Sequence, residues 1–235
     1  MFTTGILCYP DHIGNFERTD PFSIEFWHYL PSGRGQLGTF ASKLGPPPLV
    51  RGWSSYSTSG RSIGFTLCSD QNANYFHVIT AVGVIPTNTW THIIFTYNGN
   101  SLVSGAKCYV NNALKPWVTV VGNSLTGTIL NTTPFRLGYS YGFGYLLGRL
   151  DEVLIHGHSL SALEVSQRYN GGVGTEGLLW PAYLQYHLNA SSGTIVTDSS
   201  GNARDIVTKN NPPWIAGKLN NCLSLNGTSQ YMEQG

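Results

Sequence analysis

Charge is what this chain has least of. Only 11% of its 235 residues are Asp, Glu, Lys or Arg, and 13 basic side chains against 12 acidic ones leave a formal net charge of +1. Such a balance supplies no basic field for nucleic acid or an anionic membrane, so neither is expected as a partner. Cysteine is scarce too. Cys8, Cys68, Cys108 and Cys222 lie far apart with no C-x-x-C pair, which argues against a zinc site. Two disulfides would suit an oxidising compartment; buried free thiols are the favoured expectation. No apolar run approaches the roughly 20 residues of a membrane-spanning helix. The opening MFTTGILCYPDHIG has no basic stretch and no clear cleavage site, so a secretory signal is not expected there. H-E-x-x-H and phosphate-loop patterns are missing as well.

What the chain does have is turn and strand chemistry: 28 Gly, 12 Pro and 12% aromatic residues. Phe22, Ile24 and Phe26 alternate with Ser23, Glu25 and Trp27, which predicts a half-buried strand. Residues 31–62 read as irregular, and Gly45–Pro48 (GPPP) excludes a central strand because proline cannot donate to a ladder. Ser62–Cys68 and Tyr75–Ile79 read as paired strands around a polar turn. Trp90–Gly99 (WTHIIFTYNG) and Lys107–Asn112 (KCYVNN) follow as another pair. Arg136–Gly172 then gives a strand, an aromatic loop, the strand LDEVLIH and a short helix near 159–169. Ser159 or Ser161 could cap that helix, and Glu164 lies at capping-box distance from Ser161.

Several of these pieces together resemble one family. PFSIEFW, W-x-H-I-I-F-T-Y-N-G followed by K-C-Y-V-N-N, and LDEV leading into LSALEV are similar to landmarks of the laminin-G-like jelly rolls in the concanavalin A-like lectin/glucanase superfamily. The resemblance implies an all-β, two-sheet antiparallel jelly-roll sandwich with one short helix. It also implies an unusual chain order. Residues 176–235, with Y-x-L-N, V-x-D-S-S-G-N and G-K-L-N-N-C-L-S-L-N-G, look like the opening strands of such a domain, yet they follow residues 1–175, its main part. The tail could complete the same sandwich by circular permutation, complete a neighbour's by strand swapping, or begin a truncated second domain. Half a sandwich would expose unpaired edges and an apolar face, which excludes the last and leaves permutation as the preferred reading.

The same resemblance frames the site expectations. Glycosidase relatives carry carboxylates on one strand face as E-x-D-x-x-E or E-x-D-x-E, for a pair about 5–5.5 Å apart. Neither spacing occurs, and the adjacent Asp151 and Glu152 should point to opposite faces of their strand. The chain is therefore expected not to be an enzyme. Relatives hold a structural calcium between a D-x-S-G-N loop and the Asp of L-D-E-V, which implicates Asp198, Asn202 and Asp151; an Asx-turn at Asp198 explains the same residues without metal. His156 and His158 share spacing for a metal but read as a solvated pair at a strand end. For a ligand, exposed aromatics that stack on sugar rings are the candidates: Tyr139, Tyr141, Phe143 and Tyr145 in one loop, Trp53 and Tyr56 beside the prolines. The same rings would serve a subunit interface. The expected role is a non-enzymatic binding or structural module on a virion surface or otherwise outside the cell. It would be a phage or viral decoration, fibre or adhesion protein, with virion proteins or further copies of itself as partners and cell-surface glycans as ligand. A secreted, calcium-supported lectin is the alternative.

Overall fold

The computed structural model describes residues 13–32, 37–123, 125–177 and 181–235. Cys8 lies outside the described residues. Two large antiparallel sheets form the sandwich. One runs in the order Trp214–Ala216, Asn221–Asn226, Leu147–His156, Phe22–Tyr29, Trp90–Tyr97, Ala106–Val110, Ala113–Lys115, with Leu184–Tyr186 also paired to Leu147–His156. The other runs Ile195–Val196, Ile206–Lys209, Tyr231–Gln234, Arg136–Leu137, Gly38–Ser42, Gly52–Ser57, Ile63–Asp70, Asn74–Thr80, Trp117–Val121. Strands from beyond residue 176 therefore sit in both sheets. Asn221–Asn226 pairs with Leu147–His156, and Tyr231–Gln234 pairs with Arg136–Leu137.

The interior is built by alternation. Phe22, Ile24 and Phe26 from one sheet meet Phe40, Phe65 and Phe76 from the other in a single core, with Phe26 and Phe40 ring centroids 4.7 Å apart. Each ring fully removed from water contributes roughly 1.5–3 kcal/mol. The strand Phe22–Tyr29 departs from expectation on its other face. Ser23, Glu25 and Trp27 are buried as well, because the helix Ala162–Tyr169 lies over that side. That helix starts on the capping box Ser161–Glu164, so of the two serines proposed as caps the second takes the role.

Two further expectations are corrected. Residues 38–42 and 52–57 are buried strands rather than irregular chain. Serine and glycine there look like loop residues in sequence but alternate faces in the sheet. The pair Asp151–Glu152 does not straddle its strand. Glu25 lies opposite Leu154 and Trp27 opposite Asp151, so Phe26 faces two residues, and Glu152 takes the left-handed φ of 47°. This bulge keeps Leu150, Val153 and Ile155 in the core and turns both carboxylates to the outer side.

Candidate functional site

The outer face of the nine-stranded sheet carries a row of polar side chains across four strands. Ser42 lies opposite Ser54, Ser54 opposite Thr66, and Thr66 opposite His77. Tyr56 projects from the same face, and its ring takes the place of a side chain at Gly64, whose Cβ would fall 2.0 Å from Tyr56 Cζ. The loop between Tyr139–Ser140 and Gly144–Tyr145 folds down over this row. Phe143 stacks flat on Tyr56, with centroids 3.7 Å apart and planes at 4°. Between that loop and the proline-bearing loop at Gly45–Val50 is a cleft of about 380 Å³, floored by Thr66, His77 and Cys68 and walled by Tyr75, Tyr141 and Phe143.

The polar groups of the floor are neutral. His77 contacts Tyr56 Oη through Nε2 (2.8 Å) and Thr66 Oγ1 through Nδ1 (2.9 Å). Burial lowers its pKa, so the ring is held as a neutral tautomer between two hydroxyls. Burial pushes the Cys68 thiol up to about 11, and its Sγ donates to Val50 O. Among the described residues lining the cleft none is Asp, Glu, Lys or Arg. Behind Thr66, Ser54 is fully buried and its Oγ has no hydrogen-bond partner. Ser54 is not among the residues that line the cleft, so its hydroxyl is closed off from a ligand there.

The aromatic candidates divide accordingly. Tyr56, Tyr141 and Phe143 come together at the cleft, with Tyr141 the exposed member and Arg136 5.0 Å from its ring. Tyr139 and Tyr145 stack at 4.4 Å beside Tyr231, forming the neighbouring surface. Trp53 is corrected: it faces the core, 1% exposed, against Phe22 and Phe135, with Nε1 donating to Gly14 O at 2.7 Å. One position along a strand separates it from the outer face, so it cannot meet a ligand there. Sequence reading missed Thr66, His77, Tyr75 and Ser54. The alternation Gly64, Thr66, Cys68 against Phe65, Leu67 carried that signal.

The calcium candidates do not form a cation cage. Asp198 Oδ1 accepts from Gln185 N and Ser200 N, and Oδ2 from Ser200 Oγ and Arg204 N. Asn202 turns its amide nitrogen to Ala182 O and Tyr183 O. Asp151 accepts from Glu152 N, Lys218 N and Leu219 N. These oxygens are occupied by N–H and O–H donors, as in an Asx-turn, and the two aspartates share no partner. Among the described residues no three His, Cys, Asp or Glu side chains could jointly hold a metal. His156 is buried against Glu25, not solvated, while His158 reaches Glu164. The sequence also holds two G-x-S-x-G runs, Gly60–Gly64 and Gly138–Gly142, but Ser62 and Ser140 are both buried in strand-to-strand connections and not at a strand-to-helix elbow.

The sequence matches the concanavalin A-like lectin/glucanases superfamily over residues 3–166, well over half of the chain. The chain belongs to that superfamily. Among solved structures, this lectin-like fold is shared with a Bacteroides ovatus protein assigned to carbohydrate binding, at a TM-score of 0.55 and 15% identity. That match covers 80% of this chain and 51% of the other, so the chain spans about half of that protein's length. Weaker likenesses are to the binding domain of Paraclostridial mosquitocidal protein 1 (TM-score 0.49, 18% identity, 86% of this chain, 51% of the other) and to the Ruminococcus gnavus IT-sialidase CBM40 bound to α2,3-sialyllactose (0.47, 13%, 63% and 81%). No curated protein matches the superfamily member described here by sequence. No helix among its described residues is long and apolar enough to cross a membrane.

Proposed function

We propose that this chain is a non-enzymatic module that binds an uncharged glycan in the cleft between Gly45–Val50 and Tyr141–Phe143. The observation that carries the reading is the composition of that cleft. It offers aromatic walls for the C–H face of a sugar ring, hydroxyl and imidazole groups for its hydroxyls, and no charged lining residue. Its relationship to lectin-like domains, one of them assigned to carbohydrate binding, supports the same reading. Hydrolysis by a carboxylate pair has no support at this cleft, since no Asp or Glu lines it. The test is a glycan array followed by calorimetry on the intact chain and on Tyr141→Ala. Loss of the exposed ring should weaken binding by about tenfold, the equivalent of roughly 1.4 kcal/mol. Unchanged affinity would remove this cleft from consideration.

A place on a phage or viral particle, rather than secretion as a soluble lectin, is the second part of the proposal. Its support is that Cys68, Cys108 and Cys222 are buried free thiols, as expected of a protein folded in a reducing compartment. In this reading residues 176–235 complete the sandwich within one chain, and further copies meet by their surfaces. Light scattering on the full chain should then give a monomer in dilute solution. A stable trimer or dimer that survives dilution would favour exchanged tails instead.

A further inference from the structure

Tyr56, a ligand candidate from the sequence, is 1% exposed and is not among the residues that line the cleft. What covers it is Phe143. Their ring centroids are 3.7 Å apart with planes at 4°, the closest ring pair among the described residues. Phe143 also lies near the His77 imidazole, with centroids 6.2 Å apart and planes at 24°. Tyr56 and His77 are themselves stacked at 5.6 Å and 28°. The chain therefore lays one of its own six-membered rings flat on a platform of two others. His77, Thr66 and Phe143 all line the cleft, so the platform continues its floor behind Phe143.

The cover is held in a different way from the core. It comes from the tip of the hairpin Tyr139–Ser140 and Gly144–Tyr145, which forms a two-stranded sheet of its own. The base of that hairpin is fastened: Ser140 Oγ lies 2.9 Å from Thr39 Oγ1, and Tyr139 stacks on Tyr145 at 4.4 Å. The tip is not. Among the described residues no hydrogen bond joins Tyr141, Gly142 or Phe143 to either large sheet. Phe143 stands between Gly142 and Gly144, the second at a left-handed φ of 70°. A Cβ built on either glycine would meet nothing closer than 3.8 Å, so the backbone on both sides of Phe143 has open space. The stack is what keeps the ring in place, and a ring brought by a ligand would make the same contact. The two compete for one position.

We infer that the Tyr56–His77 platform is a second ring position of the Tyr141 cleft, occupied in the free chain by Phe143 and opened when the hairpin tip swings about Gly142 and Gly144. This deepens the cleft reading and rests on it. The fitting ligand then has at least two linked rings, one in the cleft of about 380 Å³ and the next in the place of Phe143. Tyr56 Oη and Thr66 Oγ1 are already engaged by His77, so the second ring is held by its face rather than by hydrogen bonds.

The experiment is an amide NMR titration of the full chain and of Phe143→Ala at millimolar sugar. The sugars are the methyl glycosides of glucose, galactose and mannose, each compared with cellobiose, lactose or mannobiose. For at least one pair, the preference for the disaccharide should rise about tenfold in Phe143→Ala, the scale of one aromatic stack, with Tyr56 and His77 resonances moving. Should that variant fail to fold, Phe143→Leu keeps an apolar cover without the flat stack and should give a smaller rise in the same direction. A responding cleft whose preference stays level or falls makes Phe143 a fixed wall, which overturns the second position and leaves the cleft reading intact. Movement at Tyr56 and His77 in Phe143→Ala with a silent Tyr141 would uphold the position under Phe143 and count against the cleft reading. No response to any sugar in either protein would overturn both.

Discussion

The outer faces of the two sheets are both covered, and by opposite chemistry. Over the eight-stranded sheet the helix Ala162–Tyr169 buries charge. Glu25 receives His92 Nε2 at 3.0 Å, His156 Nε2 at 3.2 Å and Arg168 Nε at 2.9 Å. Because a carboxylate only accepts, both imidazoles carry their proton on Nε2. Arg168 reaches on to Gly177 O and Thr175 O, and Lys218 Nζ to Gly172 O, so the network fastens the segment leading into the tail. Over the nine-stranded sheet the cover is an aromatic loop, the groups below are neutral hydroxyls and an imidazole, and one of them, Ser54 Oγ, is unpaired. The lesson is energetic. Buried charge is tolerated when its oxygens are answered, as at Glu25, even though His156 Nδ1 in the same network has no partner; buried neutral hydroxyls such as Ser54 cost less when left incomplete.

The sharpest way to break this contrast is at Glu25. Burial alone would raise its carboxyl, but the hydrogen bonds from His156 and His92 and the Arg168 charge hold it well below the usual range. Glu25→Leu leaves the Arg168 guanidinium buried without its counter-ion. It should cost about 3–5 kcal/mol in urea unfolding, the range for breaking a buried pair. A cost below about 1 kcal/mol would mean that water reaches this network, and the distinction between the faces would fail.

A smaller effect separates paired from crowded charge on the same side. Burial first, and the charge of Glu152 beside it, push Asp151 up to about 7 despite three backbone amide bonds. A carboxyl whose folded pKa is raised stabilises the fold fully below its unfolded value near 3.8, and that contribution is lost as pH rises toward 7. Relative to Asp151→Asn, the chain should therefore lose about 1 kcal/mol of unfolding free energy per pH unit between pH 4.5 and 7, and level off above. A difference that stays flat across this window would show that the three amides hold Asp151 ionised throughout.

Much of the frame was legible in the sequence because it rests on period-two alternation. Phe22, Ile24 and Phe26 in one strand and Ile63, Phe65 and Leu67 in another face the core together, and Ser161–Glu164 announces the helix start. The capping box is local chemistry and needs no tertiary context. What misled was composition. GWSSYS has the residues of a loop, yet its alternation sends Trp53 inward and Tyr56 outward, so two residues three apart belong to different surfaces. The bulge at Glu152 is equally hidden, since an acidic residue at positive φ leaves no mark in sequence. It reversed the expected geometry of Asp151 and Glu152. The cleft itself joins residues 66–77 to residues 141–143, a pairing fixed only when the loop folds back over the sheet.

The smallest expected effect falls on the open face and tests what kind of incompleteness Ser54 represents. Its hydroxyl is buried and unpartnered in the free chain, so Ser54→Ala removes a desolvated polar group while giving up no hydrogen bond. Stability should stay level or rise by up to about 1 kcal/mol, opposite in sign to the loss at Glu25. The hydroxyl is closed off from the cleft, so glycan affinity should stay unchanged while stability holds or rises. If both fall, Ser54 makes a bond that matters to the fold. If stability rises and affinity is untouched, the ligand stops at Thr66 and His77, and the floor of the site ends one strand short of Ser54.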